Sequence, residues 1–124
     1  MSRAAPIRFA LVVQASPADS VVALEFAGAA LAAGHAIERV FFLGRGTECA
    51  RIGAIAAGWT QLAQQRGTEL SVCVSGAARR GLYDAATAAD HGAPAGNIAA
   101  AFSLAGLGLL VDAIASADRV LTFL

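Results

Sequence analysis

The chain has 124 residues, in which nine acidic residues balance nine arginines with no lysine, so the formal net charge is zero. No basic excess is left to hold nucleic acid phosphates, so direct binding of DNA or RNA is not expected. With 57% hydrophobic and only 15% charged residues, the chain carries more apolar surface than a monomer of this size normally buries, which predicts subunit contacts.

The first half of the chain alternates strand and helix patterns. Residues 7–13 form a nearly continuous apolar run, typical of a parallel strand that is covered on both faces. A helix is predicted from residue 21 to Gly34 and a second strand over 35–43, which together make a right-handed β-α-β unit. Apolar residues at three- and four-residue spacings over 52–63 then predict a second helix.

The second half predicts a strand over 70–74, about one helical turn over 77–80, a long surface excursion over 82–97, a full helix from 98 to about 116, and a last strand over 118–124. The excursion is either a functional or partner-binding loop or a poorly ordered connector. The alternation predicts one α/β domain over 1–124, a three-layer α/β/α sandwich with a mostly parallel open sheet of at least four strands, as in flavodoxin-like architectures.

The sequence also predicts the compartment. The apolar run over 9–13 is too short for a signal-peptide core, and the uncharged stretch 92–111 contains Pro94 and Asn97, so it is interpreted as a loop and a packed helix rather than a membrane span. A cytoplasmic location is therefore expected. Thiols stay reduced there and no C-x-x-C pair occurs, so Cys49 and Cys73 are expected to be free.

Cys73 is the main chemical candidate. It stands at the end of the third predicted strand, where open α/β sheets place their ligands, and Ser75 or Gly76 is predicted to open a helix. Backbone N–H groups and the helix dipole at that position favour a thiolate. The alternative is that Cys73 is a small buried apolar residue, as free cysteines often are. No His, Asp or Glu adjoins it as a general base, which argues against a Cys-His mechanism but not against sulfur transfer.

Arg79 and Arg80 follow Cys73 closely enough for one of them to reach an anionic persulfide or an incoming partner. The alternative is a solvated helix end, where arginine complements the last carbonyl groups.

The other candidates are weaker. The turn before Cys49 lacks the third glycine of a dinucleotide motif and the Lys-Ser/Thr of a phosphate loop, so nucleotide binding is not expected and Cys49 is interpreted as a bystander at a helix start. His35 and His91 have no cysteine nearby, so no metal site is predicted; His35 is assigned to a turn and His91 to solvent. Trp59 is predicted to anchor a helix to the sheet.

Several segments, by their order and spacing along the chain, resemble the DsrE/TusD family of sulfurtransferase subunits. They are LSVCVSGAARRG over 70–81, IRFALVV over 7–13, Gly34-His35 before VFF at 40–42, FSLAGLG over 102–108 and ADRV over 117–120. The resemblance spans nearly the whole chain and implies a single DsrE-like domain whose active cysteine corresponds to Cys73, without a cofactor.

The resemblance also implies partners. Members of this kind form a heterohexamer with TusB- and TusC-like or DsrH- and DsrF-like subunits, take sulfur from a TusA-like donor and pass it to a TusE- or DsrC-like acceptor. The sulfur serves wobble-uridine thiolation of tRNA in one branch and dissimilatory sulfur oxidation in the other. The sequence does not choose between the branches, and a non-catalytic assembly subunit is the remaining alternative.

Overall fold

The computed structural model describes residues 5–124 and contains one five-stranded sheet. The strands are β1 (Arg8–Val13), β2 (Ala36–Phe42), β3 (Glu69–Cys73), β4 (Phe102–Ala105) and β5 (Arg119–Phe123). The helices are α1 (Val21–Ala32), α2 (Ala54–Arg66), α3 (Val74–Arg79), α4 (Ala85–Asp90) and α5 (Leu107–Ser116), and a 3-10 segment, Gly44–Ala50, lies between β2 and α2. Every neighbouring pair of strands is parallel, in the order β4-β3-β2-β1-β5. The predicted α/β fold with an open parallel sheet is therefore confirmed.

The chain steps from β1 to β4 in one direction across the sheet and then returns to the far edge. Right-handed crossovers place the helices of the outward steps on one face, whereas the return crossover, α5, lies on the other. As a result the sheet is covered thickly on one face and by a single ten-residue helix on the other. The switch in direction falls between β1 and β5.

The main core lies between the sheet and helices α1 and α2. Trp59 of α2 is fully buried and its ring meets Phe42 of β2 edge to face, with ring centroids 5.3 Å apart. An edge-to-face aromatic pair adds about 1 kcal/mol beyond the area it buries. The predicted role of Trp59 as a helix-to-sheet anchor is confirmed.

The predicted helix over 98–116 is wrong in its first part. Residues 102–105 form β4, which pairs with β3 in register from Leu70↔Phe102 to Cys73↔Ala105, and α5 begins only at Leu107. Alternation along β4 places Phe102 and Ala105 on opposite faces of the sheet, where Phe102 is buried in the main core and Ala105 in a smaller cluster. A four-residue strand followed at once by a helix leaves too few residues to show a period of two.

Two further boundaries differ from the sequence prediction. The surface excursion over 82–97 contains α4, whose N-cap is Asp84. The Asp84 side chain accepts a hydrogen bond from the Thr87 amide, and the Thr87 hydroxyl accepts one from the Asp84 amide, which together form a capping box. Ile52, counted in the apolar face of the second helix, is instead 65% exposed before α2 starts at Ala54. Within residues 5–124, no helix has the length and apolar character needed to cross a bilayer.

Candidate functional site

Cys73 is the last residue of β3 and the N-cap of α3. The buried strand residues Leu70 and Val72 hold β3 in the main core, whereas Cys73 projects to the opposite face of the sheet. Because α3 begins at Val74, one or two residues earlier than the sequence predicted, the first amides of the helix lie directly beside the sulfur. The backbone geometry thus places the thiol where a strand carboxyl end meets a helix start.

The surroundings of Cys73 favour the thiolate. Burial, the largest single influence, raises the pKa of Cys73, but a hydrogen bond from Ser75, the amides of Gly76 and Ser75 and the charge of Arg79 together outweigh it. The net effect lowers the pKa of Cys73 below that of an ordinary thiol. The Ser75 hydroxyl lies 3.4 Å from the sulfur. The thiolate of Cys73 is therefore favoured by hydrogen bonds and charge rather than by a neighbouring base.

An apolar wall surrounds the thiol on the α5 side of the sheet. Phe41 and Ala105 are buried beside Cys73, and Leu43 and Leu110 pack against the same cluster. Cys73 itself is only 7% exposed. Such a wall limits water around the sulfur and strengthens the hydrogen bonds that it accepts.

Gly76 allows α3 to approach the 3-10 segment. A Cβ added at Gly76 would lie 3.1 Å from the Thr47 methyl carbon and 3.7 Å from the Gly44 amide nitrogen. This close approach fixes the orientation of α3, and hence of the amides that face the sulfur. Gly76 therefore contributes both an N–H donor and the space for tight packing.

The two predicted arginines lie differently with respect to the sulfur. Arg79 is exposed and its charge helps to lower the pKa of Cys73. Arg80 instead donates to the Gly76 carbonyl at 3.3 Å and lines a cavity with Arg45. Cys73, Ser75, Gly76 and Arg79 thus come together, whereas Arg80 faces the neighbouring cavity.

Cys49 lies outside this site. It is fully buried in the main core cluster, a different cluster from that of Cys73, and burial raises its pKa despite a hydrogen bond from Ser20. Cys49 was predicted to lie at the start of a helix, and the structure places it within the 3-10 segment instead. Both cysteines are free.

The histidines have local contacts only. His35 accepts the Ile7 amide proton at 3.0 Å through Nδ1, just before β2, and exposed His91 stacks on Tyr83 with ring centroids 4.7 Å apart. In the part of the chain that the structure describes, no three His, Cys, Asp or Glu side chains gather as a metal site would require.

Sequence reasoning missed the residues that neighbour Cys73 in space. Phe41 and Leu43 come from the end of β2 and the residue that follows it, and Ala105 comes from the end of β4. One signal was available, since the carboxyl ends of parallel strands meet at one edge of a sheet. To use this signal for Ala105, the position of β4 had to be known, and the sequence pattern predicts a helix for those residues.

The comparison with protein families decides the assignment. Residues 8–123 match the model of the DsrE/DsrF-like family. The chain belongs to this family. Relatives named as sulfurtransferases make this DsrE/DsrF-like chain a sulfurtransferase of the TusD/DsrE type, with a family-level function in sulfur relay.

Individual relatives cover most of this family member. Sulfurtransferase TusD of Serratia proteamaculans is 44% identical over 82% of this chain and 84% of its own length. The protein named DsrE of Allochromatium vinosum is 38% identical over 94% of this chain and 98% of its own length. In structure, the YchN protein of E. coli matches with a TM-score of 0.72 at 16% identity, covering 94% of this chain and 99% of that one. The structural likeness supports the DsrE-like fold.

Proposed function

We propose that Cys73 carries sulfur as a persulfide, accepting it from a donor and passing it to an acceptor thiol on another protein. The observation that supports this most directly is the set of hydrogen bonds around the sulfur, from Ser75 and the amides of Gly76 and Ser75, which favours the thiolate. Because the chain belongs to a family whose relatives are named sulfurtransferases, the proposed reaction of this thiolate is sulfur transfer.

The chemistry needs no cofactor. The Cys73 thiolate attacks the outer sulfur of a donor persulfide, a new S–S bond forms on Cys73, and the donor leaves as a thiolate. In the second step an acceptor thiolate attacks the outer sulfur of the Cys73 persulfide, and Cys73 leaves as the thiolate. The electrons stay balanced because a neutral sulfur atom moves between thiolates in each step.

The acceptor is proposed to be a separate protein because the chain holds no resolving thiol near Cys73. Cys49 lies in the other core cluster, fully buried and with a raised pKa. The apolar wall of Phe41 and Ala105 suits a persulfide that must survive until the acceptor docks. A single cysteine of this kind suits an intermediate sulfur carrier between a donor protein and an acceptor protein.

Further subunits are proposed to cover the exposed apolar surface. On α5, Leu107, Val111 and Ile114 are each 47–62% exposed, and Val120 and Leu124 lie at the neighbouring edge strand β5. TusC- and TusB-like or DsrF- and DsrH-like subunits are the proposed partners there, in a cytoplasmic complex. A TusA-like donor and a TusE- or DsrC-like acceptor would exchange sulfur at Cys73, for tRNA thiolation or for sulfur oxidation.

The sharpest test is to weigh the intact protein after incubation with a persulfide donor. We expect the wild type and Cys49→Ala to gain one sulfur atom, and Cys73→Ser to gain none. The control Cys49→Ala removes a small group from the core and should cost about 1 kcal/mol of stability without unfolding the protein. Loading of Cys73→Ser at the wild-type rate would overturn the assignment.

The alternative, an assembly subunit with an inert cysteine, rests on the 7% exposure of Cys73. Titrating the rate of alkylation against pH separates the two. An alkylation midpoint below that of an ordinary thiol supports the carrier, and one at or above it supports the assembly subunit.

A further inference from the structure

A basic cavity opens at the carboxyl edge of the sheet, beside the Cys73 site. Its volume is about 430 Å³, within the range of roughly 300–1,000 Å³ typical of small-molecule sites. The lining residues come from the ends of three strands and from α3: Gln14, Leu43, Gly44, Arg45, Arg80 and Leu124. Nothing in the proposed persulfide exchange between proteins uses this cavity.

The position of the cavity is the one at which open α/β sheets form ligand crevices. Gln14 follows β1, and Leu124 follows β5, so the cavity lies where the strand order reverses. Open α/β sheets bind ligands outside the carboxyl ends of the strands at such a switch point. The strand order and the position of the cavity therefore indicate the same place.

The cavity is lined by two arginines and by no Asp or Glu side chain. Among residues 5–124, Arg45 and Arg80 take part in none of the salt bridges, which use other arginines. The neighbouring acid, Glu48, is engaged by Arg51, whose Nε donates to it at 2.8 Å. Two guanidinium groups that line one small cavity favour an oxyanion, because arginine donates in a planar fork that matches such groups.

The cavity also borders the reactive sulfur. Leu43 lines the cavity and packs against the cluster that contains Cys73. Arg80 donates to the carbonyl of Gly76, whose amide faces the sulfur. The arginine-lined cavity therefore adjoins the apolar cluster that holds Cys73.

We propose that this cavity binds a small anionic sulfane-sulfur compound, of which thiosulfate is the simplest, so that Cys73 is loaded directly and without a donor protein. The proposal rests on the persulfide function of Cys73. The Cys73 thiolate attacks the outer sulfur of thiosulfate, the S–S bond of thiosulfate breaks, and sulfite leaves with the electron pair of that bond. The product is the Cys73 persulfide, and no oxidant or reductant is consumed.

The arginines would serve two purposes in this step. Thiosulfate and the thiolate are both anions, so positive charge is needed to bring them together. The same charge stabilises the sulfite that departs, which gains negative charge as the bond breaks. Arg45 and Arg80 would bind the oxygen atoms and leave the outer sulfur for Cys73.

The test compares two donors on the full chain: thiosulfate and ethyl persulfide, which has no oxyanion. Loading is measured by intact mass and, for thiosulfate, by the sulfite released. The measured quantity is the ratio of the thiosulfate concentration to the ethyl persulfide concentration that gives half-maximal loading. Arg45→Gln and Arg80→Gln should each raise this ratio about tenfold, as loss of one charged hydrogen bond predicts. The matched control is Arg66→Gln, at the end of α2 and the opposite edge of the sheet, which should leave the ratio unchanged.

The outcomes separate this proposal from the proposed function. Loading by ethyl persulfide but not by thiosulfate, or a ratio that Arg45→Gln leaves at the wild-type value, overturns the anion site and leaves the persulfide carrier standing. Loading by neither donor overturns both. Arg45→Gln decides the matter even if Arg80→Gln unfolds, because Arg45 makes no side-chain hydrogen bond among residues 5–124.

Discussion

Cys49 and Cys73 are both buried free thiols, one in the 3-10 segment after β2 and the other at the end of β3, yet their surroundings push their pKa values in opposite directions. Around Cys49 burial prevails, and the thiol behaves as a small apolar side chain of the main core. Around Cys73 the hydrogen bonds from Ser75 and Gly76 prevail. The comparison teaches that the exposed fractions, 0% and 7%, say less about reactivity than the donors that face the sulfur.

The largest expected difference is in alkylation of the native protein. At pH 7 we expect iodoacetamide to modify Cys73 and to modify Cys49 more slowly by ~1,000-fold or more, because Cys49 reacts only when the core opens. Peptide mapping after timed labelling measures both sites in one sample. Labelling in denaturant, where both sites should react alike, is the control, and comparable native rates would contradict the contrast drawn between the clusters.

A smaller effect is expected from removing the hydroxyl beside Cys73. Ser75→Ala takes away a donor to the thiolate, so the pKa of Cys73 rises and its alkylation at pH 7 should slow about threefold. The direction of the effect follows from the lowered pKa of Cys73 in the wild type. As pH rises, the variant should regain the wild-type alkylation rate once Cys73 is ionised in both proteins.

The matched control for this change is Ser103→Ala, an exposed serine of β4. A Ser75→Ala profile that superimposes on those of the wild type and Ser103→Ala would show that the hydroxyl has no part in thiolate stability.

The smallest effect is expected from the charge of Arg79. Because Arg79 is exposed, solvent screens it, and Arg79→Gln should slow alkylation of Cys73 by about twofold at low salt. The difference should vanish near 1 M salt, where the Debye length falls to about 3 Å. Arg79→Lys, which keeps the charge, should match the wild type, and a salt-independent loss in Arg79→Gln would point to packing rather than charge.

Much of the fold was readable from local patterns, and the chemical surroundings of Cys73 were only partly so. The apolar run before Val13 and the strand that leads to Cys73 identify parallel strands because both lie in the buried layer of the sheet. β4 was missed because its four residues merge with α5 into one apolar stretch. Without β4, the contact of Ala105 with Cys73 had no basis in the sequence.

The position of Cys73 at the end of a strand was predicted from local sequence, whereas its neighbours in space depend on the order of the strands in the sheet. Ser75 and Gly76 act on Cys73 from two and three residues away, so local sequence is enough to propose them. Arg45 reaches the same edge from another connection, and only the sequence of strands across the sheet brings it there. Long-range pairing is the step that propensity and periodicity do not specify.

The pairing of β5 with β1 has a consequence for how the chain is made. Residues 110 positions apart, Arg8 and Asp118, are joined at this edge, so the five-stranded sheet cannot be completed before β5 has been synthesised. Until then the apolar strand β1 presents an open edge to other nascent chains. The crevice beside Leu124 forms only at this step, so that an anion can be held there only after β5 has paired with β1.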